Sequence, residues 1–560
     1  MQARPDTIVG RALRGTGVLA VAVAVVVLMT WPLAKGMGRL GRTGSGDGLF
    51  SIWNVAWVAR TIVADPVNLF RANIFFPHEH ALAYSEANIG AGVLAIPAWW
   101  LTQNPYTALN TALLLAFATN LIGMWLLARY LCRDKAAAAI AALIFSFCPY
   151  LFSHTAHIQL LMAGGIPLSL LMLHRVADAP SWKTALALGL ALAVQALSCA
   201  YYGIFTGLVV GYAALFLTVS RATCRTFAFW RALAIAAAAS GLCVLPFFLP
   251  YIDIREQHNF RRSIEEAMTY SGNLMSYLTS SSHAHKPVLA LARRLGPFEG
   301  MVGFPGYLAI VFGLSGLAMG AVAARRSADR PFERETALLY GSIGVLALWA
   351  SLGPRLGLYT ALFRAVPLFS FLRAPSRFNL VVVFSLAVLA SLALSRLFQM
   401  VGGTRRRLLA AGLAAAAIAE LNILPFPWEA APRLPPSYRV LAKLPRGPLA
   451  EFPFYGARSV FHLHTQYQVF STAHWMPMLN GYSDVIPVDF RETAPILESF
   501  PSNEAFDVLR KRRTRYVGVH WDMYGQREEE IRTRLIPFRA YLQIVAEDEM
   551  MTLYEVIRFP

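Results

Sequence analysis

Long apolar runs constrain this chain more than any other feature. Residues 17–34 read GVLAVAVAVVVLMTWPLA, and further runs lie near 107–128, 136–152, 158–176, 184–200, 203–220, 232–251, 303–323, 336–352, 378–397 and 407–424. A helix of about 20 apolar residues crosses a hydrocarbon core of about 30 Å. The runs therefore predict a polytopic α-helical membrane protein of about eleven transmembrane helices, with 136–152 and 184–200 the shortest of them. Composition agrees: of 560 residues 56% are hydrophobic and only 15% charged, against about 25% charged in soluble domains. Mean hydropathy is +0.48. A soluble enzyme, a disordered tail and a fibrous protein are excluded together.

The first run follows a basic start, MQARPDTIVGRALRG, which is also how a signal peptide begins. Its length, and the lack of a clean small-x-small site after it, predict a retained first helix. The net charge of +18 would suggest nucleic acid in a soluble protein. Here the basic residues sit between apolar runs, where they orient helices and meet anionic lipid, so no nucleic-acid partner is expected. With the N-terminus cytoplasmic, Arg11 and Arg14, then Arg129, Arg133 and Lys135, then Arg175 and Lys183 fall inside. Arg221, Arg225 and Arg231, then Arg325, Arg326, Arg330 and Arg334, and finally Arg396 and Arg405 to Arg407 follow on the same side. The outer hairpins at 154–157 and 200–203 carry no Lys or Arg, as the positive-inside rule requires. Residues 35–106, 253–302, 353–377 and the tail from about 425 then lie outside, and so does any chemistry.

Cys132, Cys148, Cys199, Cys224 and Cys243 lie in or beside apolar runs with no CxxC and read as buried thiols. The stretch PFPWEAAPRLPPS ends the last apolar helix at its prolines. Residues 1–424 form the transmembrane domain in this reading, and 425–560 a soluble extracytoplasmic α/β domain. Strands are predicted near 449–454, 516–519 and 553–556, and helices near 491–510 and 527–540.

Charged groups close to a membrane are costly and usually functional. The first outer segment holds Gly46-Asp47-Gly48 and then FFPHEHALAYSEAN, with His78, Glu79, His80 and Glu86. Asp47 reads as a general base on an acceptor hydroxyl or as the ligand of a metal that carries a pyrophosphate, and alternatively as a solvated turn residue. SHTAHIQ puts His154, His157 and Gln159 at the outer end of an apolar run, facing a cavity or satisfied by neighbouring backbone. SFLRAPSRFN puts Arg373 and Arg377 four apart around Pro375. The planar guanidinium fork suits phosphate, and snorkelling to head groups is the alternative. Arg255, Arg261 and Arg262 admit both readings too. Glu420 lies deep in the last run, facing a cavity or paired with an Arg. His462, His464 and His474 lack an acid or Cys to complete a zinc set. No GxSxG, P-loop or GxGxxG occurs.

These features resemble the GT-C superfamily of membrane glycosyltransferases, whose members include oligosaccharyltransferases, protein mannosyltransferases and bacterial RgtA/B/C/D-like enzymes. The resemblance rests on a first span followed at once by a large outer segment with Gly46-Asp47-Gly48, a multi-span bundle and an outer C-terminal domain. SHTAHIQ, FLRAPSRFN and STAHWMPMLNGYS look like segments of a bacterial branch of it. The resemblance implies inverting transfer of a sugar from a polyprenyl-phosphate donor to a glycan, lipid or protein acceptor outside the cytoplasm, at a bacterial inner membrane. It matches Asp47 to the catalytic loop carboxylate, with Glu79 or Glu86 as second acid. His78, His157, Gln159, Arg255, Arg261, Arg373 and Arg377 are the expected substrate-binding residues. No cofactor is required by this reading, and a divalent cation, Mg or Mn, is the one candidate. The competing classes are a flippase of lipid-linked sugars, whose related halves and broken helices are not apparent, and an envelope assembly factor.

Overall fold

The computed structural model describes residues 8–257, 262–295, 301–326 and 331–560. The chain is mostly helical and divides into two compact units. The first comprises Met1–Lys35, Leu113–Phe247 and Arg261–Phe426; the second comprises Gly36–Ala112, Phe248–Phe260 and Pro427–Pro560.

Among the described residues five helices are long and apolar enough to cross a membrane: Pro105–Cys132, Lys135–Ser153, Ala200–Ser220, Phe227–Gln257 and Pro375–Val401. Gly17–Met29, Ile89–Thr102, Trp182–Ser198 and Tyr307–Ala321 are shorter apolar helices. The segment predicted as one run over 158–176 breaks instead into Ile158–Leu161 and Gly165–Asp178.

At the heart of the first unit is the helix Asn379–Val401, buried along most of its length. It packs against Tyr307–Arg326, Pro331–Ser351 and Lys135–Ser146. Small residues set the closeness of that packing, since lipid tails offer no hydrophobic drive between helices. A Cβ on Gly316 would stand 2.1 Å from the Leu389 carbonyl oxygen, and one on Gly320 would stand 2.1 Å from Ala337 Cβ. This GxxxG pair lets one helix touch two neighbours. Several arginines read as inner by charge are ion-paired here: Arg221 with Glu335 at 2.5 Å, Arg406 with Asp134 at 2.7 Å, and Arg396 with Glu333.

Among the described residues Glu420 has no arginine partner. Its carboxylate accepts from His285 Nε2 at 3.0 Å and from the backbone N–H groups of Tyr307 and Leu308. It is a cap supplied from a distant helix to the first turn of Tyr307–Arg326, where unsatisfied N–H groups and the helix dipole favour a negative charge. Gly306 has φ +105°, and a Cβ there would meet Glu420 Oε1 at 2.8 Å.

In the second unit, the segment read as one outer loop contains the helices Gly46–Ala64 and Ile89–Thr102. The tail carries a four-stranded sheet of Leu449–Phe452 (β1), Tyr516–His520 (β2), Leu542–Glu547 (β3) and Met551–Val556 (β4), in the order β1-β2-β4-β3. β1 and β2 are parallel and the remaining pairs antiparallel. The predicted helix over 491–510 is two helices, Val488–Glu498 and Asn503–Lys511, interrupted at Pro501. Backbone bonds join the loop to the tail: Phe75 N–H to Asn480 O (3.2 Å), Phe76 N–H to Met478 O (2.8 Å), Met478 N–H to Asn73 O (2.9 Å) and Val485 N–H to Tyr84 O (2.8 Å). Inside the sheet, the fully buried Glu451 accepts from Tyr438 OH at 2.8 Å and from His520 at 2.9 Å. Gly518 on β2 leaves the room, since a Cβ there would lie 2.1 Å from Glu451 Oε2.

Candidate functional site

Asp47 stands in the first turn of the helix Gly46–Ala64 and is exposed. Ser45 caps that helix, its Oγ accepting from Gly48 N–H at 3.1 Å. A carboxylate at this position gains from the positive end of the helix. The flanking glycines serve packing. A Cβ on Gly48 would lie 1.8 Å from Arg42 O, and one on Gly46 would lie 2.8 Å from His462 Cβ.

The turn before Asp47 is laced to the start of the tail. Leu40 and Gly41 pair with Ala430 and Glu429 in a short antiparallel ladder, and Ala431 N–H donates to Arg39 O at 2.8 Å. Arg42 Nη1 donates to Pro427 O at 2.8 Å. Glu429 accepts from Gly44 N–H and, at 3.4 Å, from Thr43 Oγ1. Sequence reasoning sought a second acid in Glu79 and Glu86. Glu79 pairs with Arg71 at 3.4 Å, both exposed, and the Glu86 backbone carbonyl accepts from Asn54 Nδ2 at 3.3 Å. Glu429, whose carboxylate meets the Asp47 turn, was missed because 385 residues separate it from Gly44.

His78 is tied down through both ring nitrogens. Nε2 meets Asp489 Oδ1 at 2.9 Å and Nδ1 meets Tyr84 OH at 2.8 Å, while Asp489 Oδ2 accepts from Arg512 at 2.6 Å. The hydrogen bond from His78, and then that from Arg512, hold the Asp489 carboxyl well below the usual carboxylate range against the opposing effect of burial. Arg255 is half-buried in this same unit. Arg261 lies outside the described residues.

STAHWMPMLNGYS is structural in what it touches. Trp475, at φ +54°, packs edge-on against Trp57 and Trp99 at 5.5 and 5.7 Å, with Arg60 5.2 Å from its ring centre. Asn480 exchanges two hydrogen bonds with the Glu451 backbone, at 2.8 and 2.9 Å. Among the three tail histidines His462 is exposed, while His464 is fully buried. His464 Nε2–H donates to Tyr455 O at 3.1 Å and Nδ1 accepts from Asn480 Nδ2 at 3.2 Å. Burial pushes its pKa down to about 3. The unfolded chain, with a histidine pKa of about 6.5, therefore takes up the proton first. The stability tied to this group is complete above pH ~6.5 and is lost as pH falls toward 3. Between pH 7 and 5 the loss is about 2 kcal/mol. The melting temperature of the purified protein should fall over that interval, and His464→Gln, which cannot titrate, should flatten the dependence. An unchanged pH dependence in the variant would count against this assignment.

The first unit holds the other candidates. His154 donates from Nδ1 to Tyr150 O at 2.7 Å, and its ring lies 6.3 Å from that of His157, which precedes the short helix Ile158–Leu161. Gln159 Oε1 is buried and, among the described residues, has no hydrogen-bond partner. Such an orphan acceptor costs about 1–3 kcal/mol and asks for an explanation. Arg373 pairs with Glu266 at 3.6 Å and lies 5.1 Å from the Tyr270 ring centre. Glu266 is held in turn by Arg262 at 2.7 Å. Arg377 stands over the Tyr201 ring, its guanidinium carbon 3.8 Å from the ring centre.

Among the described residues no three His, Cys, Asp or Glu side chains gather into a metal-binding set.

No family model matches the sequence, and no curated protein matches it. Solved structures do. The arabinofuranosyltransferase AftD from Mycobacteria aligns over 96% of this chain and 40% of its own length, at 15% identity and a TM-score of 0.59. The oligosaccharyltransferase of Archaeoglobus fulgidus, tethered to an acceptor peptide, aligns over 91% of this chain and 69% of its own, at 14% identity and a TM-score of 0.50. The chain has the fold of the GT-C membrane glycosyltransferases. Within the GT-C fold, this chain spans well under half the length of AftD.

Proposed function

We propose that the protein is a membrane glycosyltransferase that moves a sugar from a polyprenyl-phosphate donor to an acceptor outside the cytoplasm. The observation that carries this reading is an exposed carboxylate, Asp47, in the first turn of a capped helix on a chain with the GT-C fold. AftD is an arabinofuranosyltransferase and the Archaeoglobus protein an oligosaccharyltransferase; both names describe transfer of sugars, and we extend that chemistry here. In this reading Asp47 takes the proton of the acceptor hydroxyl as its oxygen attacks the anomeric carbon. The bond from that carbon to the phosphate oxygen breaks, and the electron pair leaves with the polyprenyl phosphate. Arg377, with Arg373, binds the phosphate and offsets the charge that grows on it. Gln159 Oε1 accepts from a donor hydroxyl, and His157 belongs to the same donor-binding set. Turnover is expected to need at most a shared Mg or Mn ion, which assay with and without chelator decides.

The orientation proposed is N-terminus cytoplasmic, with about eleven spans and the tail outside, at a bacterial inner membrane. Reporter fusions after Arg407 and after Pro435 should then read opposite sides, and the same side for both would sink it. The functional test is purified protein supplied with a polyprenyl-phosphate-linked radiolabelled sugar and an envelope glycan fraction. An enzyme releases polyprenyl phosphate. A flippase leaves the sugar–phosphate bond intact, and that outcome would replace the proposal.

A further inference from the structure

Tyr201 opens the helix Ala200–Ser220, one residue past its cap Cys199. Its side chain makes two different contacts with the segment that carries both arginines. The phenol oxygen accepts from the backbone N–H of Arg373 at 2.8 Å. The ring face carries the Arg377 guanidinium at 3.8 Å. One turn further along the same helix, Phe205 stacks on Phe378 at 3.7 Å and 19°. Next to Tyr201, Tyr202 turns the other way, donating to Leu160 O at 3.2 Å and meeting Tyr150 OH at 3.4 Å. The first turn of this helix thus grips both 150–160 and 372–378, the segments that carry His157 and Gln159 and the two arginines. CAYYG was passed over in the sequence because it bears no charge.

The two arginines differ. Arg373 already shares Glu266 with Arg262, which offsets its charge. Arg377 has its guanidinium carbon over an aromatic face at 3.8 Å, a contact that restrains the fork. A planar fork binds two phosphate oxygens only when its plane is set, and a stacked guanidinium loses less freedom on binding than a mobile one.

We infer that Tyr201 is a positioning residue for phosphate recognition: its ring holds the Arg377 guanidinium ready for the phosphate of a polyprenyl phosphate, while its hydroxyl pins the Arg373 backbone. The inference rests on the proposed role of Arg377. It predicts that ring and hydroxyl separate. Tyr201→Phe keeps the ring and should bind within about threefold of the parent. Tyr201→Leu loses the cation–π contact and should weaken binding by about 5- to 30-fold. The Phe205–Phe378 stack remains in both variants to hold the segment.

The experiment measures binding of undecaprenyl phosphate, with undecaprenol as the phosphate-free probe, to full-length protein in detergent. Four proteins are compared with the parent: Tyr201→Phe, Tyr201→Leu, Arg377→Ala, and Arg377→Ala combined with Tyr201→Leu. The expected result is a loss in Tyr201→Leu for the phosphate probe alone, with no further loss when it is added to Arg377→Ala. Unchanged binding in Arg377→Ala would overturn the phosphate role of Arg377 itself. A loss in Arg377→Ala with parent-like binding in Tyr201→Leu would leave that role standing and overturn the inference. So would equal losses in Tyr201→Phe and Tyr201→Leu, which a purely structural hydroxyl produces. If Tyr201→Leu does not fold, Tyr201→Phe still decides: binding as weak as in Arg377→Ala overturns the inference, and near-parent binding supports it.

Discussion

Asp47→Asn should lower sugar transfer by about 10²–10⁴-fold while the protein stays folded, because the amide keeps the size of the side chain and loses its basicity. The expectation follows from placement: the carboxylate is exposed at a capped helix start, held by close-packed glycines. The cost to stability is small, since a surface carboxylate at a helix N-terminus contributes about 0.3–1 kcal/mol. Turnover per folded molecule, measured beside the melting temperature, separates the two effects. Glu79→Gln, Glu86→Gln and Glu429→Gln belong in the same series. Glu429 touches the turn that precedes Asp47, so its variant should cost less than Asp47→Asn. Near-parent activity in Asp47→Asn with loss in Glu79→Gln or Glu86→Gln would mean the right segment and the wrong acid. Activity in all four would sink the mechanism.

Arg377→Ala should weaken binding of a polyprenyl phosphate by about 10- to 100-fold, the range for a hydrogen-bonded charge. Arg377→Lys should recover part of it, because an ammonium keeps the charge and loses the fork. It should also sit less well on Tyr201, since a guanidinium is what stands over the ring at 3.8 Å and an ammonium is smaller and more strongly hydrated. The readout is the dissociation constant at fixed ionic strength. Parent-like binding by both variants would put the phosphate elsewhere.

Much of this was legible in the sequence, for reasons that can be named. Helical membrane segments announce themselves because lipid forces each to be apolar along its whole length. Strands β1, β2 and β4 were readable from their apolar, β-branched and aromatic runs. Strand β3, LQIVAE, was not, because only Leu542 of its six residues is buried and it follows a helical stretch. The helix Gly46–Ala64 was read as loop because Trp53, Asn54 and Arg60 interrupt it, yet twelve of its residues are buried. Asp47, His157, Arg373 and Arg377 stood out by charge in an apolar setting. Tyr201 and Glu429 did not, because what marks them is a partner 172 and 385 residues away. Glu420 drew notice for its depth, but its partners, a histidine and two backbone amides, exist only once the helices pack.

The central claim is that this chain breaks a sugar–phosphate bond and makes a glycosidic one. It is tested most directly by counting both products in a single reaction with purified protein, a polyprenyl-phosphate-linked sugar and an acceptor glycan. The account predicts one polyprenyl phosphate released for each sugar joined to the acceptor, with both products lost together in Asp47→Asn. Donor recovered intact, whether or not it has changed sides of a bilayer, would contradict it.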